Sequence, residues 1–259
     1  MRNTLRAAMR EGLPTFGSWI QFGHTSIAEL MAQAGFDWLA IDMEHSVIGI
    51  ETVQPLIQVI ELSGCVPLVR LSGHDPVLAK RVMDAGAHGV IVPAVNSAEE
   101  AEQAVRSIKY PPDGFRGVGL GRAHGFGSRF QEYLRELEEY SVVIVMIEHR
   151  DGVEQVDQIL RVPGVDGVFI GPYDLSASFG IPGQFDHPLI RDAIARILTA
   201  ARNASVAPGI HVVHPLVDQV RDRLAEGFRF LAYGGDMLFL VPAVHEAVAQ
   251  LRGLARGCV

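Results

Sequence analysis

Lysine is almost absent from this 259-residue chain: Lys80 and Lys109 stand against twenty arginines. Both lie in helix-like stretches, away from any strand end. A Schiff-base mechanism needs a lysine amine inside the site, so that chemistry is excluded. Cysteine is scarce too. Cys65 and Cys258 lie far apart with no metal or redox spacing, so we expect a reducing compartment, the cytoplasm, and no disulfide. No apolar run approaches the ~20 residues of a membrane span, and the opening MRNTLRAAMREGLP lacks the apolar core of a signal peptide. An excess of positive charge is missing as well. A formal net charge of −8 argues against a nucleic-acid or membrane partner. No H-x-H occurs on the first strand pattern and no glycine-rich nucleotide loop follows it.

What is present is an alternating pattern. Hydrophobic residues make up 48% of the chain, enough for a large core. Apolar strand patterns fall at residues 16–20, 38–42, 67–71, 89–93, 143–147, 167–171, 207–211 and 228–232. Helix patterns lie between them, at 26–34, 51–62, 76–85, 98–108, 131–139, 153–160, 188–204 and 216–226, and a last one at 237–252 closes the chain. Eight βα units without linkers imply α/β architecture: one (β/α)8 TIM-type barrel domain over residues 1–259, with the opening segment as a short helix on its floor. The glycine-rich connection 110–128 breaks the rhythm and carries Arg116, Arg122 and His124. Loops this long are usually functional or mobile.

Charged residues stand where several strands run out: WLAIDMEH (38–45), PLVRL with Arg70, VIVMIEH (143–149) and GVFIGPYD (167–174). An unpaired charge in a core costs several kcal/mol. In a barrel, strand carboxyl ends share one face, where catalysis sits. Glu148 and Asp174 end consecutive strands. With waters and a bidentate ligand they make an oxygen-rich site suited to Mg²⁺ or Mn²⁺; the plainer alternative is that each pairs with an arginine. His45 can act as a general base or simply hydrogen-bond Asp42 and Glu44. Asp84, one βα unit later, can orient His45 or merely end a helix. Arg70 can stabilise a developing oxyanion or form a salt bridge with Asp42 or Glu44. The segment YGGD at 233–236 can bind phosphate or make a tight turn.

These motifs resemble the metal-dependent (class II) pyruvate aldolases of the HpcH/HpaI family, typified by 4-hydroxy-2-oxoheptanedioate aldolase and 2-dehydro-3-deoxyglucarate aldolase. The anchors are DxEH at 42–45, VR at 69–70, YPPxGxRGVG at 110–119, IE at 147–148 and VDGVFIGPxDLS at 165–176. The resemblance spans residues 16–240. It implies a divalent metal (Mg²⁺ or Mn²⁺, with Co²⁺ as a further candidate) on Glu148 and Asp174, His45 as base tuned by Asp84, and Arg70 on the oxyanion. It also implies a backbone amide at Tyr173 for the pyruvate carboxylate. Arg122 would reach the aldehyde in a neighbouring subunit's site. A homohexamer is implied, with the last helix packed on a neighbour. Two departures stand out. Met146 occupies a position where the family often has glutamine, and Tyr173 one that is usually small. His124 and His149 have no assigned role.

The activity implied is reversible cleavage of a 4-hydroxy-2-oxo acid to pyruvate, or a close 2-oxo acid, and an aldehyde. Two alternatives stay open. One is a citrate-lyase-like carbon–carbon lyase acting on an acyl-CoA ester. The other is a non-catalytic barrel that binds an oxo acid.

Overall fold

The computed structural model describes residues 4–257. Eight parallel strands close into a barrel in sequence order: β1 (Thr15–Ile20), β2 (Trp38–Asp42), β3 (Val66–Arg70), β4 (Gly89–Val92), β5 (Val142–Ile147), β6 (Gly167–Ile170), β7 (Ala207–Val212) and β8 (Phe230–Gly235). Closure comes from β1 on β8, Thr15 facing Phe230. The helices are α1 (Thr4–Arg10), α2 (Thr25–Gln33), α3 (Ile50–Leu62), α4 (Pro76–Ala85), α5 (Ala98–Ile108) and α6 (Phe130–Tyr140). After β5 come α7 (Arg150–Glu154) and α8 (Val156–Ile159), then α9 (Pro172–Ser178), α10 (Pro188–Ala204), α11 (Val217–Glu226) and α12 (Asp236–Gly257). The expected barrel with an extra carboxyl-terminal helix is what the chain forms.

Residues on the strands divide by period two. Leu39, Ile41, Val69 and Val168 pack outward under the helices. Trp38, Ala40, Leu68, Ile144, Phe169 and Phe230 fill the barrel itself, as alternation along a pleated strand demands. Trp38 stacks on Phe230 at 4.1 Å between ring centroids. Gly17 makes that possible, since a Cβ there would lie 2.0 Å from the Trp38 ring. The amino-terminal helix plugs the floor as expected, with Leu5 and Met9 buried and Arg6 bonded to Asp166 at 2.9 Å. Helix α4 shows how local sequence sets an element's ends. Asp75 caps it by accepting from the Val77 N–H, Pro76 opens it, and Gly86 closes it at φ 107.

Three boundaries differ from expectation. Phe228 looks like strand, but its N–H bonds the Arg223 carbonyl in the turn that ends α11, so β8 starts at Phe230 and runs on through Gly235. The single helix expected at 153–160 is two short ones meeting at Gln155. The 110–128 connection contains a 3-10 turn at Arg122–His124. The tight turn expected at YGGD is not what forms: Tyr233–Gly235 end β8, with Gly234 at φ 57, and Asp236 opens α12 directly, accepting from the Met237 N–H and, across the barrel rim, from the Gln21 and Phe22 N–H groups. Cys65 is buried and its thiol is pushed up to about 12; Cys258 lies outside the described residues. No helix among them is long and apolar enough to cross a membrane.

Candidate active site

At the carboxyl ends of the strands lies a cavity of about 300 Å³. His45, Arg70, Met146, Tyr173 and Asp174 all line it. Trp19, Gln21, Phe169 and His211 do too, although the sequence reading passed over them. Gln21 and His211 carried the same signal as the others, a polar residue where an apolar strand ends.

Asp42 organises one side. It is fully buried, and Arg70 donates to it twice, Nε to Oδ1 at 2.9 Å and NH2 to Oδ2 at 2.6 Å. Gln21 Nε2 adds a third bond at 3.0 Å. Burial pushes the Asp42 carboxyl up, but the Arg70 bonds and charge outweigh it and hold it below the ordinary range. The salt bridge considered for Arg70 is therefore present. Arg70 NH1 stays free of hydrogen bonds, 3.5 Å from Glu44 Oε2, and the guanidinium lies over the Trp19 ring at 4.4 Å. Arg70 is thus fixed on two sides, with one donor edge left over.

Glu148 lies at the other side. Burial first, then the Glu44 and Asp174 charges, push its carboxyl up to about 7, against the lowering bond from Ala94. That bond runs from the Ala94 N–H to Oε1 at 2.6 Å. Ala94 adopts φ 50 to make it, a conformation costing an alanine roughly 1 kcal/mol or more. Gly171 leaves space beside Oε2, where a Cβ would come within 2.6 Å. Glu44 is also held above its ordinary value, chiefly by burial, and its Oε2 has no hydrogen-bond partner. The arginine pairs that formed the plainer alternative for Glu148 and Asp174 are absent: neither makes an ion pair among the described residues. Glu148 and Asp174, two neighbouring acids without an ion pair among the described residues, are what a divalent cation would relieve; Glu44 already has Arg70 NH1 beside it. No three His, Cys, Asp or Glu side chains converge to hold a metal alone among the described residues. The donor set that fits is two carboxylates completed by a ligand and water.

His45 stands at the rim with its side chain 58% exposed, Nε2 3.7 Å from Glu44 Oε2. Asp84 is not with it. The ninth residue of α4, it has descended about 12 Å at 1.5 Å per residue; it pairs with Arg116 at 2.7 Å. Arg122 is likewise remote from its own cavity, bonded to Glu61 and to the Ala85 carbonyl. Within one chain, then, neither Asp84 nor Arg122 meets His45. His124 and His149 now have structural roles. His124 is fully buried, accepts from the Gly127 N–H at Nδ1 and bonds the Gly119 carbonyl through Nε2, pinning the long loop. His149 caps α7 by accepting from the Asp151 N–H.

Comparison with known proteins identifies the family. The family model for HpcH/HpaI aldolase/citrate lyase matches residues 15–243. The chain belongs to that family. It is 41% identical over 253 residues to a 4-hydroxy-2-oxo-heptane-1,7-dioate aldolase of Shigella sonnei (strain Ss046), covering 96% of this chain and 95% of that protein. Among solved structures, an HpcH/Hpal aldolase/citrate lyase family protein from Burkholderia cenocepacia J2315 superposes with TM-score 0.91 at 36% identity, over 96% of this chain and 99% of the other. The HpcH/HpaI aldolase from Desulfitobacterium hafniense DCB-2 gives TM-score 0.89 at 30% identity, over 96% of each chain. The barrel is thus that of a family of carbon–carbon lyases.

Proposed function

We propose that this chain is a metal-dependent aldolase that reversibly cleaves a 4-hydroxy-2-oxo acid to pyruvate, or a close 2-oxo acid, and an aldehyde. The observation that carries the reading is the buried Glu148 carboxyl. It is crowded by Glu44 and Asp174, which outweigh the Arg70 charge, and makes no ion pair among the described residues; it sits behind Gly171, which lines the strand-end cavity with Arg70 and Asp174. Glu148 and Asp174 would hold a divalent cation, Mg²⁺, Mn²⁺ or Co²⁺. When bound it supplies positive charge for the keto and carboxylate oxygens of the oxo acid.

The chain's own groups do the rest. The Tyr173 amide faces the carboxylate of the oxo acid. Arg70 donates from its unused edge to the oxygen that becomes anionic at C2; Asp42 and Trp19 keep that edge in place. In cleavage His45 takes the proton of the 4-hydroxyl. The C3–C4 bond breaks, its electron pair passes into the C2–C3 enolate, and the aldehyde leaves. A proton returned to C3 gives the 2-oxo acid. Synthesis runs the same steps backwards, with the C3 proton going to the base.

Asp84 and Arg122 can take their expected roles only from a second copy of the chain. They share one corner of the molecule: Asp84 Oδ2 and its carbonyl lie against Gly119 and Gly121, and Arg122 NH1 against Gly86. An arrangement that delivers Arg122 to a neighbour's site therefore brings Asp84 too. Leu240, Val244, Val248 and Leu251 on α12 are exposed, an apolar surface suited to the hexameric packing expected of the last helix. The acyl-CoA reading is weaker, because neither lysine lines the cavity to meet a nucleotide.

The test is turnover of pyruvate with an aldehyde panel, before and after metal removal, alongside the mass of the assembly by light scattering. Full activity in metal-stripped protein would refute the metal role. A monomer with full activity would refute the roles of Asp84 and Arg122.

A further inference from the structure

The cavity has two unlike walls. Met146 and Phe169 make one of them apolar. Beside it, on β7 and at the end of β1, the lining carries His211 and Gln21. Gln21 is seated firmly: Asp236 takes its backbone N–H at 2.9 Å and Asp42 takes its side-chain amide N–H at 3.0 Å. Its Oε1 makes no hydrogen bond among the described residues and can accept, while the second N–H of the amide remains a donor.

His211 is held by a break in the sheet. Along β1 and β8, Gly17 faces Ala232, but Trp19 faces Gly235, so three residues of β8 oppose two of β1. Such bulges re-aim backbone groups and recur near active sites. The bulge contains Gly234 at φ 57, where a Cβ would come 2.8 Å from the Phe239 ring. Its carbonyl meets His211 Nε2 at 2.8 Å. A carbonyl only accepts, so Nε2 carries the proton and Nδ1 is a lone-pair acceptor. Burial pushes the ring down to about 4, so this neutral tautomer persists through the physiological range. No other hydrogen bond uses the ring among the described residues.

The unused Nδ1 of His211 favours a ligand that brings a donor, as the unpaired Trp19 Nε1–H beside it favours one that brings an acceptor. The His211 ring lies 6.0 Å from Trp19, whose face carries Arg70 at 4.4 Å, so this acceptor is on the inner part of the cavity. Under the aldolase reading, on which this inference rests, that part holds the oxo acid, while the aldehyde enters past the half-exposed Tyr173. The carboxylate and keto oxygens of an oxo acid are acceptors. Only C3 has room for a donor.

We propose that the preferred nucleophilic partner is a 3-hydroxy-2-oxo acid of the 3-hydroxypyruvate type, whose C3 hydroxyl donates to His211 Nδ1. In synthesis C3 loses one proton to the base and forms the bond to the aldehyde carbon. The aldehyde oxygen gains a proton, giving a 3,4-dihydroxy-2-oxo acid. No oxidant or reductant enters. Gln21 Oε1 provides a second acceptor on the same wall.

The experiment compares pyruvate with 3-hydroxypyruvate, each with one fixed aldehyde and Mg²⁺, and measures binding of both acids by calorimetry. Wild type should favour 3-hydroxypyruvate about tenfold in kcat/KM and in Kd, which corresponds to about 1.4 kcal/mol. His211→Leu should lower that ratio about tenfold or more, because it removes the acceptor. His211→Asn, which keeps an acceptor near the Nδ1 position, should restore part of it. A wild-type ratio near one would overturn the proposal, as would a His211→Leu protein that slows both acids alike. Those results would leave the aldolase reading intact if pyruvate is turned over. Failure of wild type to bind or turn over either acid would instead overturn the aldolase reading, and this inference with it.

Discussion

Acids near the barrel's floor are paired with cations while, among the described residues, Glu148 and Asp174 at its mouth are not, although burial raises the floor's Asp166 even against its Arg6 pair. Near the floor, Glu61 is bonded by His88 and Arg122, which hold it down to about 2 against the effect of burial. Asp84 there closes on Arg116, and Asp166 on Arg6. At the mouth, Glu148 is pushed up to about 7 by burial and by two like-charged neighbours, and Glu44 Oε2 lacks a hydrogen-bond partner. A paired acid can be explained by stability alone. An acid crowded by others of its own sign costs stability, and that cost marks a place where something else binds. Asp42, a mouth acid that is satisfied, serves to fix Arg70.

The largest effect should come from removing the unpaired mouth acids. Glu148→Gln and Asp174→Asn should each reduce turnover on the order of 10³-fold, about 4 kcal/mol, while leaving thermal stability unchanged or raised. Chelator should abolish wild-type activity, with Mg²⁺, Mn²⁺ or Co²⁺ restoring it. Steady-state kinetics beside melting curves checks both halves. Covalent trapping of pyruvate by borohydride would break the comparison outright, since it would require a lysine.

Next in size is Arg70, where the two kinds of region meet. If its free edge acts mainly in the transition state, Arg70→Ala should lower kcat and kcat/KM together by on the order of 10²-fold. It also leaves the buried Asp42 without its main partner, so the melting temperature should fall as well. His45→Ala should slow methyl-proton exchange of pyruvate without that loss of stability. Unchanged exchange would place the base elsewhere.

The mouth was legible in sequence because strand ends announce themselves. WLAID and VVIVMI are apolar runs closed by charge, and β2 spans Trp38–Asp42 as expected. Asp84 shows the limit. Its place one unit after Arg70 suggested nearness to His45, yet a helix carries its last turn to the opposite end of the barrel. His211 and Gln21 were passed over because each is a single polar residue in apolar company. What gives His211 its tautomer is the Gly234 bulge, and a pair of glycines in sequence does not disclose which carbonyl they turn. Phe228 misled for a related reason: its hydrophobicity serves the helix-to-strand turn as well as it would serve a strand.

The floor yields the next prediction. Glu61 sits below its ordinary value of 4.5, so its contribution to stability is fully present above pH 4.5 and is lost as pH falls towards about 2. Its side chain is 38% exposed, and solvent screening cuts the contribution to about 1 kcal/mol. Wild type should exceed Glu61→Gln by that amount at pH 7, and the gap should narrow on acidification below 4.5. Urea unfolding across the range measures it. A gap that widens in acid would mean the floor acids are not paired in solution.

The smallest effect belongs to the two residues that shape the mouth without supplying charge. Tyr173 is 55% exposed and meets Phe185 edge-on at 4.7 Å, so it narrows the mouth of the cavity; in the proposed reaction its side chain would border the aldehyde while its backbone amide would serve the oxo acid. Tyr173→Ala should change which aldehydes are accepted and leave metal dependence intact. Met146 is buried in the barrel interior beside Phe169 and offers at best a weak acceptor. Met146→Gln should tighten pyruvate by at most one hydrogen bond, about 0.5–1.5 kcal/mol, provided the new amide finds the ligand. If it does not, an unsatisfied amide in an apolar wall should lower the melting temperature instead. Pyruvate saturation curves, an aldehyde panel and melting curves on both variants separate these results. Aldehyde profiles and pyruvate KM values identical to the parent's would place Tyr173 and Met146 outside the working cavity, and the mouth would then owe its selectivity to its polar wall alone.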